Sequence, residues 1–157
     1  VLSIAGGFLI RVLAGALIIA VPPSPWLLIC TFALASFLGF GKRTHELSVA
    51  GERAGSQRKV LTRYRLSHLK AMLWISAAGT CVAYVLYTIA PHTRQFFGTD
   101  RLLYTAPFAA FGVVRFLLLV SRNSTADSPT DAMLRDIPFM ANLVLWAGAI
   151  VTIIYLL

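Results

Sequence analysis

The chain has 157 residues, 58% of them hydrophobic and only 13% charged, with a mean hydropathy of +0.77. A soluble domain carries about 25% charged residues, so the surface needed to keep this chain in water is missing; disorder, a collagen-like repeat and a disulfide scaffold are excluded too. What remains is an integral membrane protein, and the net charge of +8 has to be read in that setting. Val1 already lies inside an apolar run, so the expectation is a piece whose beginning has been lost.

Five apolar stretches follow in chain order: Val1–Pro22, Ser24–Phe40, Ala71–Ala90, Leu102–Val120 and Ile137–Leu157. A membrane-crossing helix needs about 20 apolar residues, within about 17–25; Ser24–Phe40 is at the short end and the other four fit. A membrane barrel would need alternating segments of about ten residues, and no such alternation is present. The fold class is therefore all-α: a polytopic bundle of five transmembrane helices in one domain over residues 1–157. Pro22, Pro23 and Pro25 turn the chain between the first two stretches and make them a hairpin.

Eight of the fourteen Lys and Arg lie in one connection: Lys42, Arg43, Arg53, Arg58, Lys59, Arg63, Arg65 and Lys70. The connections 41–70 and 121–136 share one side of the membrane and hold ten Lys and Arg, Arg122 and Arg135 included, against Arg94 and Arg101 on the other side. The positive-inside rule then puts both basic loops in the cytoplasm and the C-terminus outside. Charge of this kind belongs to a membrane-flanking loop, and nucleic acid is not an expected partner.

Within the spans, Arg11 sits mid-segment, where a cation is costly: it either bonds to helix carbonyls or snorkels to the interface, or it is aimed at an anionic substrate in a cavity. Arg115, nearer a span end, is expected to snorkel, and Asp136 to be a helix-start acid. If the second helix continues past Phe40, Lys42 and Glu46 fall four apart on one face, with Arg43 and His45 beside them. Two readings of that basic segment stay open: a solvated loop drawn to anionic headgroups, or a phosphate-binding cluster. Trp26, Trp74, Tyr84, Tyr87 and Tyr104 read as interfacial anchors, Ala77-Ala78-Gly79 as a close-packing stripe, and Cys30 and Cys81 as apolar filler. The histidines have no metal-ligand spacing, and the Asn123-Ser124-Thr125 sequon on a cytoplasmic loop carries no weight.

The hairpin running from Gly7 to Leu47, with Gly41-Lys42-Arg43-Thr44-His45-Glu46-Leu47 at its end, is followed by Gly51–Leu61 and Phe97–Val120. This order resembles the C-terminal half of the UbiA prenyltransferase superfamily, most closely its decaprenyl-phosphate phosphoribosyltransferase branch, over the whole chain. The resemblance implies a nine-helix membrane fold with a cytoplasmic active site, the spans here being helices five to nine. It implies transfer of 5-phosphoribose from phosphoribosyl pyrophosphate to a polyprenyl (decaprenyl) phosphate, with Mg²⁺ as cofactor, for cell-wall arabinan synthesis at a bacterial plasma membrane. Most of the superfamily carries a second Asp-rich motif where this chain reads Lys42-Arg43-Thr44-His45-Glu46, a departure that favours the phosphoribosyl branch.

By the same resemblance, Lys42 and Arg43 grip donor phosphates, and Glu46 bonds ribose hydroxyls or orients a cation. Arg58, Lys59 and Tyr64 are weaker candidates at the donor, and Arg11 faces the central cavity near the lipid phosphate or the donor. The first Asp-rich motif, with the main Mg²⁺ ligands and catalytic groups, is expected outside these residues, so the fragment alone is expected to be inactive and to supply no metal ligand. The expected partners are the polyprenyl phosphate, phosphoribosyl pyrophosphate and the bilayer, with self-association left open. The alternatives are prenyl transfer from a prenyl diphosphate to an aromatic or other small acceptor, and a non-catalytic scaffold or transporter part.

Overall fold

A computed structural model describes the backbone of residues 1–53, 56–122 and 128–155, and side chains throughout those segments except at 50–65 and 122. Among the described residues every regular element is helical: α1 (Leu2–Ile18), α2 (Pro25–Arg53), α3 (Ser56–Ile89), α4 (Pro91–Phe97), a 3₁₀ turn (Arg101–Thr105), α5 (Ala106–Arg122), α6 (Pro129–Arg135) and α7 (Ile137–Tyr155). Four stretches are long and apolar enough to cross a membrane, Pro25–Val49, Leu66–Ile89, Arg101–Ser121 and Ile137–Tyr155, and α1 is a shorter apolar helix. The all-α membrane bundle expected from hydropathy is the fold observed.

The departures have local causes. The first helix stops at Ile18, four residues before Pro22. Ala20 takes a left-handed φ of 54°, and the amides of Val21 and Ala20 donate back to the carbonyls of Ala16 (3.0 Å) and Leu17 (3.2 Å), closing the helix end. An alanine in that conformation carries a penalty of about 1 kcal/mol that glycine avoids. Ala20→Gly is therefore expected to raise the melting temperature of the detergent-solubilised protein by a few degrees; an unchanged or lower value would show that the turn is not strained.

The basic connection 41–70, expected as a loop, is helical wherever it is described. Nothing between Phe40 and Arg53 breaks a helix, so α2 runs for 29 residues and α3 for 34. At 1.5 Å per residue these are about 43 and 51 Å long, beyond the roughly 30 Å of a hydrocarbon core. They are also the most extensively paired elements in the structure. The connection 121–136 likewise holds a helix, α6, begun by Pro129 in its first turn and by Ser128, whose hydroxyl accepts from the Asp131 amide at 3.3 Å. At the other end of the bundle, α4 closes on Gly98, whose left-handed φ of 67° lets its amide reach the Arg94 carbonyl at 2.8 Å.

The core lies between α2, α3 and α5: Phe37, Leu73, Ala77, Val113, Phe116, Leu117 and Val120, with Met133 of α6 packed against it. Of the small-residue stripe only Ala77 is in this core, and Gly79 faces open space. Tyr84, expected as an interfacial ring, is bonded across helices. It accepts from the Trp146 indole N–H at 2.9 Å and donates to Thr105 Oγ1 at 2.7 Å, while the Thr105 hydroxyl donates to the Leu102 carbonyl at 2.6 Å. This chain ties α3, the 3₁₀ turn and α7 together, because polar groups within a bundle need partners where water is scarce. Trp74 and Tyr104 are exposed. Cys30 and Cys81 are free thiols, half-buried.

Candidate functional site

The end of α2 carries the group singled out in the sequence. Helix continuation sorts its residues by face: Thr44 and His45 turn inward, 2% and 4% exposed, while Lys42, Arg43 and Glu46 turn out. The helical pair foreseen between Lys42 and Glu46 forms instead between Arg43 and Glu46, with Nη1 donating to Oε2 at 2.7 Å. The three-residue spacing favours the arginine, whose planar head reaches the carboxylate directly. Both partners are well exposed, at 58% and 43%, so the bond orients Arg43 and adds little stability. Lys42 makes no hydrogen bond or ion pair among the described residues.

Gly41 sets the position of this segment. Phe116 of α5 is 1% exposed and packs edge-on against Phe37, centroids 5.0 Å apart at 64°. The tip of its ring lies over Gly41, where an added Cβ would meet Cζ at 2.7 Å. Only a residue without a side chain lets α5 approach α2 this closely, one position before Lys42.

On the neighbouring residue of α5, Arg115 corrects the sequence expectation. It does not snorkel: Nε and Nη2 donate to the two carboxylate oxygens of Asp136, each at 2.8 Å. Asp136 Oδ2 also accepts the Phe139 amide at 2.9 Å, so it caps α7 as a helix-start acid and anchors the arginine as well. The Arg115 guanidinium holds the Asp136 carboxyl below the usual carboxylate range; burial opposes this and the Phe139 amide adds to it. Sequence reasoning missed the pair because its members lie 21 positions apart, one on α5 and the other between α6 and α7. A lone Arg inside an apolar span, with an acid at the start of the next, was the available signal.

The remaining sequence candidates are not gathered at this point. Arg11 is exposed on α1, its guanidinium 5.6 Å from the Phe8 ring centroid, and no hydrogen bond or ion pair joins it to the Lys42–Glu46 group. The Val1 side chain lies against Gly39, so the start of α1 is level with that part of α2. Arg11 is then about 15 Å further along α1, on the side away from Lys42. Arg58, Lys59 and Tyr64 are on the backbone of α3, but their side chains lie outside the described residues.

The chemistry on offer is cationic. Among the described residues no three His, Cys, Asp or Glu come together in a way that could hold a metal ion. Mg²⁺ takes one or two carboxylates together with substrate phosphates and water; Glu46 is the one acid of the group and is already bonded to Arg43. These residues do not fit Mg²⁺ on their own. What they fit is an anion with several phosphate oxygens, which an ammonium and an oriented guanidinium can contact together.

No family model matches the chain. It is 29% identical over 159 residues to a Mycolicibacterium smegmatis protein named decaprenyl-phosphate phosphoribosyltransferase, a match covering 97% of this chain and 49% of that protein. It is 26% identical over 139 residues to the protein of that name from Mycobacterium tuberculosis, covering 85% of this chain and 43% of the relative. The chain spans about half the length of the curated relatives it matches. Across nearly all of its own length, the chain is similar to proteins named decaprenyl-phosphate phosphoribosyltransferase.

Proposed function

We infer that the full-length protein carrying this chain transfers 5-phosphoribose from phosphoribosyl pyrophosphate to a polyprenyl phosphate, decaprenyl phosphate foremost, at a bacterial plasma membrane. The observation that carries the reading is the relationship just described, running through the Lys42–Glu46 segment at the exposed end of α2. An oxygen of the lipid phosphate attacks the anomeric carbon of the donor ribose as its bond to pyrophosphate breaks, and pyrophosphate leaves with the bonding electron pair. Charge builds on the leaving group, so cations held beside it stabilise the transition state more than the ground state.

Lys42 and Arg43 are assigned to the donor phosphates. Glu46, bonded to Arg43 in the structure, is assigned to orienting that cation, with the ribose hydroxyls as its second partner once Arg43 turns to phosphate. Arg58, Lys59 and Tyr64 are secondary donor candidates, and Arg11 is kept for the lipid phosphate, deeper along α1. Mg²⁺ belongs to the proposal for the whole protein, and no step assigned to this chain passes through it. The basic ends of α2 and α3 are read as cytoplasmic and the C-terminus as external, from the asymmetry of Lys and Arg. The product is a precursor for cell-wall arabinan, and residues 1–157 by themselves are expected to be inactive.

The test follows labelled phosphoribose into lipid in membranes containing the full-length protein. Lys42→Ala and Arg43→Ala are each expected to lower kcat/KM for the donor about 10-fold to 100-fold, as lost charge-assisted contacts do. Glu46→Ala should have a smaller effect. Equal rates in all three variants would remove the donor site from α2.

A further inference from the structure

Arg115 and Phe116 are consecutive on α5 and point to different neighbours. Arg115 is tied by two hydrogen bonds of 2.8 Å to Asp136, which in turn caps α7 through the Phe139 amide at 2.9 Å. Phe116 is wedged between Phe37 and the bare backbone of Gly41. The two contacts together fix the rotation of α5 about its axis: turning it enough to release the carboxylate would draw the ring off Gly41. The helix segment supported by that ring begins with Lys42 and Arg43.

We propose that the Arg115–Asp136 pair is a positioning device for the Lys42–Glu46 group, acting through Phe116 and Gly41 from the start of α7 to the end of α2. It touches neither substrate. A two-hydrogen-bond arginine–carboxylate pair suits the task because it sets orientation as well as distance. A rigid wedge in a closely packed interior passes a displacement on without absorbing it. The pair is only partly covered, 27% and 11% exposed, so a change at the membrane surface beside α6 can reach it. The inference rests on the reading of Lys42 and Arg43 as donor ligands, and it adds the residues that aim them.

Two readouts on the full-length protein separate the inference from that reading. In kinetics, Asp136→Asn and Arg115→Gln are expected to raise the KM for phosphoribosyl pyrophosphate about threefold to tenfold, the size of coupling carried by packed networks. The KM for decaprenyl phosphate should stay within about twofold, and Asp136→Glu should recover part of the donor KM. A merely structural pair would lower the amount of active protein and leave both KM values unchanged, which would overturn the proposal. In hydrogen–deuterium exchange, which needs no activity, Asp136→Asn is expected to speed exchange of the 42–49 amides on α2, with the outer end of α3 as the unaffected reference. Unchanged exchange there would overturn the coupling even if transfer is observed. Faster exchange in a protein that transfers no phosphoribose would sink the donor reading and keep the mechanical link.

Discussion

Gly41→Ala is expected to destabilise the protein by about 1–3 kcal/mol, the range for overpacking a filled core. Helix propensity pulls the other way, since alanine is better than glycine in a helix interior by up to about 1 kcal/mol. The clash wins because the group the new methyl meets cannot move aside. The Phe116 ring is 1% exposed and pinned against Phe37, and its Cζ would stand 2.7 Å from the added carbon. Gly79→Ala is the control: nothing lies within 4 Å of its would-be Cβ, so only the propensity gain remains and stability should rise slightly. Thermal unfolding in detergent reads both. Phe116→Leu in the Gly41→Ala background should recover part of the loss; if the two substitutions add independently, the wedge is not what glycine accommodates.

The second large effect concerns Asp136. Its removal in Asp136→Ala takes away the α7 cap, about 1 kcal/mol, and leaves Arg115 without its partner at the edge of a membrane span. The pair is partly exposed, 27% at Arg115 and 11% at Asp136, so its loss adds less than a buried pair would. The total loss is expected to exceed that of the cap alone, about 1 kcal/mol. Arg115→Leu should cost less, because Asp136 still caps α7 through Phe139. The carboxyl is held below its ordinary range, so its stabilising contribution is fully present above the unfolded-state value, about pH 4. The contribution is lost only as pH falls through the lower folded-state value. The stability difference between the native protein and Asp136→Asn should therefore be flat from about pH 5 to 8 and shrink below about pH 4. A difference that vanished near neutral pH would mean that the pair is not ionised as the geometry requires.

The spans were legible in the sequence because lipid imposes one strong rule, long apolar runs with the backbone satisfied within each helix. The continuation of α2 past Phe40 was less so: Lys42, Arg43 and Glu46 end the apolar signal without ending the helix. Cross-helix contacts were not legible. Tyr84 bonds to Trp146, 62 positions away, and Arg115 to Asp136, 21 positions away on the far side of a connection; neither separation leaves a local pattern. At the candidate site, residue types and spacing indicated an exposed cationic face on a helix. The identity of its ligand came from resemblance and not from that pattern, since a basic helix end also suits anionic headgroups.

The most direct measurement of the central claim gives the full-length protein both donors in parallel: labelled phosphoribosyl pyrophosphate with decaprenyl phosphate, and a labelled prenyl diphosphate with an aromatic acceptor. Mass spectrometry of the extracted lipid identifies the product. The account predicts a decaprenyl phosphate heavier by one phosphoribosyl group, formed with release of pyrophosphate and diminished in Lys42→Ala. A prenylated aromatic acceptor, with no phosphoribose on the lipid, would contradict it.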